Sequence, residues 1–328
     1  FKYIIYFLLV FMPFREVIGI YDNVYLKFIP DILIIFMFFG YLFKNKFKLK
    51  FKVYDYFYIL FLLGGFLSGI INNVSFIAIL LHMRTYVTMY FLFYILRNNE
   101  YEIQFYKNCL KILMIALSVL TIIGIGEYIT SKIYFFPYQW FIGIKYTSNL
   151  SRMYTLLHSP NTFGYYAVLV VSLFTYLYKD FKNKKWIFLL VLIFLGIILT
   201  QSRSSQVALV LILFYWSFGL FKKHDYKTLI NIFLILLLTF GTYKLCNYAN
   251  RAFSNSDAYK SFFEENTDRF DDNENVITDS GSRWNIAENN DVFYSMKNGR
   301  LFNINLGFKI WKTKPLFGTG FATYGTAG

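Results

Sequence analysis

Long runs of apolar residues, separated by short polar segments, dominate the chain. A helix needs about 20 mainly apolar residues to cross about 30 Å of hydrocarbon, and nine runs reach or approach that length. The second and the eighth are the shortest. The pattern predicts an all-α fold, a polytopic membrane bundle of about nine transmembrane helices. The predicted spans are Phe1 to Ile20, Phe28 to Leu42, Tyr54 to Ile71, Phe76 to Leu96, Leu110 to Thr130, Asn161 to Tyr178, Trp186 to Gln201, Gln206 to Leu220 and Leu229 to Cys246.

The composition excludes an ordinary soluble domain. Of 328 residues, 57% are hydrophobic and only 16% are charged, whereas soluble domains carry about 25% charged residues. A water-soluble fold of this length could not bury 40 Phe and 29 Tyr and still present a polar exterior. The 2 Cys show no metal or redox spacing. Lipid is therefore the predicted solvent.

The net charge of +14 predicts a membrane orientation rather than a nucleic-acid partner. The basic residues fall in short clusters between apolar spans and form no continuous binding stripe. With the N-terminus inside, the inner segments contain 16 Lys and Arg and the short outer loops contain 6. This excess of inner positive charge indicates a multi-pass membrane protein with an inward N-terminus.

A change in composition predicts two regions. Residues 1–246 form the predicted helix bundle, and residues 247–328 form a large external loop region that contains 10 of the 19 acidic residues. Its acidic run from Asp271 to Asn275 lacks the central Gly and closing Glu of a calcium loop. The spacing of apolar residues from Leu301 to Trp311 predicts a short helix in this loop.

Three arginines near the predicted outer side are candidate phosphate ligands. Arg152 precedes the Pro160-Asn161 pair, Arg203 lies in a Ser-rich turn, and Arg300 follows a glycine. The planar guanidinium donates two parallel hydrogen bonds and stays charged in a site of low dielectric constant, so it suits phosphate better than Lys does. Interfacial snorkelling or lipid headgroup contact is the alternative for each.

The order of these motifs resembles that of the bacterial O-antigen ligase and oligosaccharide repeat-unit polymerase family. The motifs are Arg152 with Pro160 to Gly164, the turn from Leu199 to Ser204, and Gly299-Arg300 followed by Pro315 to Gly320. The resemblance runs from about the first span to the end of the chain. It implies a glycosyltransferase of the bacterial cytoplasmic (inner) membrane whose active site lies on the external face.

The resemblance also implies the substrates. The donor is a glycan linked to undecaprenyl diphosphate, and the acceptor is either a lipid A core hydroxyl (ligase) or a second lipid-linked glycan (polymerase), of which we favour the polymerase. By position, Arg203 and Arg300 match the family's diphosphate-binding arginines, and Arg152 is expected to bind the diphosphate with them. The leaving group is already activated, so no metal or other cofactor is expected.

The chain departs from the family pattern at the catalytic base. The resemblance places a catalytic His shortly after Gly318-Thr319-Gly320, yet the chain ends at Gly328 without it and without two or three further spans. We therefore expect a truncated member, and the catalytic residue is left unassigned.

Four further residues are expected to line the substrate cavity: Arg84, Glu127, Asn161 and Ser202. An arginine inside a membrane span is costly and normally faces a polar cavity or a carboxylate. Arg84 therefore either lines the cavity or pairs with Glu127. For Glu127 the alternative is a helix-end carboxylate in headgroup water. His158, near Arg152, assists the site or is an ordinary loop residue.

Two other functions compete with the transferase. A transporter or flippase of lipid-linked glycan also needs a polar cavity among many helices, but such folds usually show paired halves with matching broken helices. The sequence shows none. A non-catalytic envelope scaffold that binds anionic glycan or lipid is the third possibility. Loss of product in Arg203→Ala or Arg300→Ala variants distinguishes the enzyme from the scaffold.

Overall fold

The computed structural model describes seven parts of the chain: residues 1–17, 24–134, 152–157, 159–181, 183–265, 300–315 and 318–321. Regular structure in these parts is helical throughout, with no strand, which confirms the predicted all-α class. The helices are α1 (Lys2–Phe11), α2 (Ile29–Lys44), α3 (Val53–Ile71), α4 (Phe76–Asn98), α5 (Ile103–Ile129), α6 (Pro160–Leu177), α7 (Lys184–Leu199), α8 (Arg203–Lys222), α9 (Tyr226–Ser254), α10 (Asp257–Glu265) and α11 (Arg300–Thr313). Short 3₁₀ turns lie at Met12–Phe14, Val24–Phe28, Thr155–Leu157 and Tyr178–Asp180.

Six helices in the described parts are long and apolar enough to cross a membrane. They include α8 and the span Tyr25–Lys44, which joins α2 to the 3₁₀ turn before it. These correspond to the two shortest predicted spans, and both are longer in the structure than their apolar runs. A shorter apolar helix, Lys185–Leu199, matches the seventh predicted span. The first has only the ten residues of α1 before a 3₁₀ turn that contains Pro13, since proline cannot continue the helical hydrogen-bond ladder. The structure thus supports a membrane bundle, and the predicted count of nine is not confirmed.

Large apolar side chains cover much of the outer surface of these helices. Phe214 and Tyr215 on α8 are 71% and 80% exposed, and Phe233 on α9 is 65% exposed. A soluble protein rarely exposes contiguous apolar patches of this kind, so their exposure is consistent with helices that face lipid.

The chain divides into two compact units, each with its own packing. Unit 1 comprises Phe1–Lys27 and Tyr101–Trp284, and unit 2 comprises Phe28–Glu100 and Asn285–Gly328. This division follows contacts, whereas the boundary at residue 246 follows the predicted membrane topology and stays a prediction.

In unit 1, α7 is the central helix. It packs against α5, α6 and α9, and Ile193, Leu195 and Ile197 are fully buried. A helix that is apolar on all sides belongs in a core. Gly196 permits close packing, because a Cβ there would lie 2.7 Å from the Phe163 ring and from Thr121 Oγ1.

In unit 2, α2 and α3 pack against α4. A segment after α11 also packs on α3: Ser68 Oγ donates to the Gly318 carbonyl at 2.9 Å, and the Phe321 amide donates to the Gly65 carbonyl at 3.3 Å. Gly320 has φ +95°, and a Cβ there would lie 2.3 Å from the Gly69 nitrogen. The glycines at both positions allow the two backbones to touch.

Candidate functional site: two helix N-termini beside Arg203

The N-termini of α6 and α8 meet at one point in unit 1. Pro160 opens α6 at a position where its missing N–H costs nothing, and Ser202 is the N-cap residue of α8. Ser202 Oγ donates to Asn161 Oδ1 at 3.0 Å. A Cβ on Gly164 would lie 2.1 Å from Ser205 Oγ, so the glycine lets the two helices approach closely. The sequence-predicted residues Asn161 and Ser202 are thus brought together.

The turn between α7 and α8 is held by its own hydroxyl groups. Gln201 adopts φ +50°, a left-handed conformation that reverses the chain in few residues. The Ser202 amide donates to Thr200 Oγ1 at 3.2 Å, and Thr200 Oγ1 donates to the Ile197 carbonyl at 2.7 Å. The hydroxyl-rich sequence therefore folds into a tight turn that places Arg203 as the first residue of α8.

The electrostatics at this point favour an anion. Each helix N-terminus carries unpaired N–H groups and about half a positive charge, and two of them converge here. The Arg203 side chain and the Ser204 side chain are exposed beside them. This combination can bind a phosphate or diphosphate group.

Arg152 lies directly behind the turn rather than on its surface. The side chain is 7% exposed, and its Nε donates to the Thr200 carbonyl at 3.1 Å. The neighbouring Met153 amide donates to the Leu199 carbonyl at 3.0 Å. Arg152 therefore adds positive charge under the turn and holds its backbone.

Glu127, near the end of α5, is fully buried. Its Oε2 accepts hydrogen bonds from the amides of Tyr154 at 3.0 Å and Thr155 at 2.8 Å. Oε1 has no hydrogen-bond partner among the described residues. The interpretation of Glu127 as a carboxylate in headgroup water is therefore wrong, because the segment that contains Arg152 covers it.

Lys132 is a site residue that the sequence analysis missed. It is 1% exposed, its Nζ donates to the Arg152 carbonyl, and it lies 4.8 Å from the centre of the Tyr154 ring. Burial lowers the pKa of the amine, the Glu127 carboxylate opposes that shift, and Arg152 adds to it. In the sequence, Lys132 is one of the six basic residues of the short outer loops and resembles an ordinary surface charge. Its one sequence signal is its position five residues after Glu127.

A comparison with protein families finds a match in the C-terminal part of the chain. Residues 188–328 match the family described as O-antigen ligase. This match supports membership of the O-antigen ligase family. It also supports a role as a membrane glycosyltransferase of the ligase or polymerase type in polysaccharide biosynthesis. No curated protein and no solved structure matches the chain.

The O-antigen ligase match includes the turn with Arg203, and also Arg300 and the segment from Pro315 to Gly320. Arg152, Glu127, Lys132 and Asn161 lie outside the matched residues. The contacts of Thr200 with Arg152 and of Ser202 with Asn161 therefore join the matched part of unit 1 to residues before it.

The structure places Arg84 beside Asp31, whereas the sequence suggested Glu127 as a possible partner. It lies half-buried on α4 in unit 2, with Nε 3.5 Å from Asp31 Oδ2 and the guanidinium carbon 4.4 Å from the centre of the Phe28 ring. The alternative of a pair with Glu127 is wrong, because Asp31 supplies the carboxylate. A role for Arg84 in a substrate cavity stays a prediction.

Arg300 is the first residue of α11, which confirms the short helix predicted from Leu301 to Trp311. Its side chain lies outside the described residues, and it belongs to unit 2 whereas Arg203 belongs to unit 1. The clamp of Arg203 with Arg300, which the family resemblance implies, stays a prediction. His158 and the acidic run from Asp271 to Asn275 also lie outside the described residues.

Proposed function

We propose that this protein transfers or polymerises glycan from an undecaprenyl-diphosphate-linked donor in surface polysaccharide synthesis, and we favour the polymerase over the ligase. One observation carries the proposal: the hydrogen bond between Ser202 and Asn161 joins two helix N-termini beside the exposed Arg203. That arrangement suits the diphosphate, which is the group that gains negative charge as the glycosidic bond to the carrier breaks.

In the proposed reaction, the acceptor hydroxyl attacks the anomeric carbon of the donor and the lipid diphosphate leaves. Arg203 binds the diphosphate through its planar fork, and the N–H groups of α6 and α8 share its charge. Arg152 adds positive charge from behind the turn. Asn161 and Ser202 line the cavity at the helix ends, and Arg84 is a further cavity residue.

Two roles in the proposal rest on the family resemblance. Arg300 is the second diphosphate ligand by its place ahead of Pro315 to Gly320. The base that takes the proton of the acceptor hydroxyl is a His that follows this segment in the family pattern. The acceptor is a second lipid-linked glycan or, for a ligase, a lipid A core hydroxyl.

The proposed location is the cytoplasmic membrane of a bacterium, with the N-terminus inside and the active site on the external face. The excess of Lys and Arg on the inner segments supports this orientation. It places the N-termini of α6 and α8 at the external face, where the proposal needs the donor.

Reconstitution tests the proposal. The full-length protein, with the catalytic His that the family pattern places after Gly320, is reconstituted in proteoliposomes and given lipid-diphosphate-linked repeat units. It is expected to form longer or transferred glycans. Arg203→Ala should reduce the rate by about 100-fold, since one such charged contact is worth about 3 kcal/mol in the transition state. Arg251→Ala, which removes an exposed arginine on α9, serves as the matched control and should retain the rate.

Two results would count against the transferase. The first is an Arg203→Ala variant that works at the wild-type rate. The second is movement of lipid-linked glycan across the bilayer with no change in glycan length, which would favour the flippase.

A further inference from the structure

The segment from Arg152 to Thr155 crosses the end of α7 and is bonded on two sides. Towards α7, the Met153 amide donates to the Leu199 carbonyl and Arg152 Nε donates to the Thr200 carbonyl. Towards α5, Lys132 Nζ donates to the Arg152 carbonyl and Glu127 accepts from the next amides. The segment therefore connects the end of α5 to the turn before α8.

The hydrogen bonds between the end of α5 and the crossing segment come from two buried side chains that can carry charge, Lys132 and Glu127. Lys132 and Glu127 are 1% and 0% exposed, and a buried charge is costly unless other groups compensate it. Their partners here include the carbonyl and amides of the crossing segment. The charges and the segment therefore stabilise one another, and loss of one charge leaves the other poorly compensated.

A short series of contacts leads from Lys132 to Arg203. Lys132 contacts the Arg152 carbonyl, Arg152 contacts the Thr200 carbonyl, and Thr200 Oγ1 accepts from the Ser202 amide. Ser202 is bonded to Asn161 and directly precedes Arg203 in the chain. A shift of the crossing segment would thus move the turn that presents the anion site.

We propose that Lys132, together with Glu127, is a positioning residue that fixes the turn before Arg203 in the geometry required by the diphosphate of the donor. This inference rests on the proposed function. Lys132 does not contact the donor; it acts through the backbone of Arg152 and Thr200. If Lys132 only packed in the core, its replacement would change stability and not donor binding. A variant that removes both buried charges therefore separates the two roles: a packing role predicts recovery of stability and of donor KM, and the positioning role predicts recovery of stability alone.

The test uses the full-length protein, which carries the expected catalytic His, in proteoliposomes. Three variants are compared: Lys132→Met, the double variant Glu127→Gln/Lys132→Met, and Lys244→Met as an exposed control on α9. Thermal midpoint, kcat and donor KM are measured for each. The single variant leaves a buried carboxylate without its cation and should lose stability. The double variant removes both charges and should recover most of that stability.

The donor KM separates the two roles. Because Met cannot donate to the Arg152 carbonyl, we expect the double variant to keep a donor KM about tenfold above the wild type with a smaller change in kcat. The Lys244→Met control should match the wild type. If the double variant regains the wild-type KM together with its stability, Lys132 is structural only and the inference is wrong. If the single variant does not fold, the double variant alone carries the test.

Hydrogen exchange distinguishes failure of this inference from failure of the proposed function. In the double variant, the amides of Met153 and Ser202 should exchange about tenfold faster than in the wild type, because both are held by this connection. If the wild type transfers no glycan but this acceleration is present, the positioning role stands and the transferase proposal fails. Unchanged exchange at both amides would overturn the positioning role.

Discussion

Unit 1 and unit 2 each contain a buried carboxylate whose charge interacts with a cation, and the two arrangements differ in how completely the carboxylate is hydrogen-bonded. In unit 2, Asp55 is fully buried and receives both terminal nitrogens of Arg97, at 2.7 and 2.9 Å. Tyr90 donates to the same carboxylate at 2.5 Å and the Lys52 amide donates at 2.6 Å. In unit 1, Glu127 accepts two backbone amides on one oxygen, and its other oxygen has no hydrogen-bond partner among the described residues.

This difference in hydrogen bonding indicates that Asp55 and Glu127 have different roles. A bidentate Arg–carboxylate pair with every oxygen bonded fixes one geometry and has no capacity left for a ligand. We interpret the Asp55–Arg97 pair as a structural connection between α3 and α4. Glu127 and Lys132 are instead hydrogen-bonded to the segment from Arg152 to Thr155, which lies behind the turn with Arg203. Complete hydrogen bonding is thus typical of the structural pair, and an incompletely bonded buried carboxylate lies near the proposed site.

The largest effect is expected from Arg97→Met. Loss of this cation leaves a buried carboxylate, which costs about 3–5 kcal/mol of unfolding free energy. The double variant Asp55→Asn/Arg97→Met should lose much less, because no charge is left unpaired. Chemical denaturation in detergent measures both. Glycan transfer per folded molecule should be unchanged, and a selective loss of transfer would contradict the structural interpretation of this pair.

The next effect is expected from Gly320→Ala, also in unit 2. The new Cβ would lie 2.3 Å from the Gly69 nitrogen at a residue with φ +95°, so the backbones must separate at a cost of about 2 kcal/mol. Gly64→Ala is the control, because no atom lies within 4 Å of its new Cβ. Alanine is favoured there within a helix by about 1 kcal/mol. Thermal midpoints that fall equally in both variants would contradict the close contact.

The smallest effect on stability is expected from Ser202→Ala in unit 1. The variant loses the hydrogen bonds of Ser202 Oγ to Asn161 and from Ser205, worth about 1–2 kcal/mol together. Its effect on glycan transfer should exceed this, since the two helix N-termini are no longer joined. Ser261→Ala, on the exposed surface of α10, is the control. If the Ser202→Ala variant kept full transfer activity, the hydrogen bond between Ser202 and Asn161 would not be required for the proposed function.

The helices could be predicted well because hydropathy depends on local sequence. Boundaries were less accurate: α5 begins at Ile103 rather than Leu110, and α9 continues to Ser254 rather than Cys246. Polar residues such as Lys107 continue a helix beyond the apolar run at little cost in headgroup water. The prediction therefore marked the apolar part of each helix and not its ends.

The candidate site could be predicted only in part. The motif order pointed to Asn161, Ser202 and Arg203, and the structure places them at one turn. The sequence motifs could not show that Arg152 and Lys132 are buried, or that Asp31 is the partner of Arg84. These facts depend on how helices rotate and pack, and the contacting residues are up to 53 positions apart in sequence. Charge in a loop segment gives no information on burial.

The central claim is that the Arg203 turn binds a lipid diphosphate, and a direct binding measurement tests it. Undecaprenyl diphosphate would be titrated by calorimetry into the full chain in detergent and into its Arg203→Lys, Arg203→Gln and Arg251→Gln variants. We expect Kd to rise about 100-fold for Arg203→Gln, about tenfold for Arg203→Lys, which keeps the charge without the fork, and not at all for Arg251→Gln. Equal affinity of the wild type and Arg203→Gln would contradict the claim.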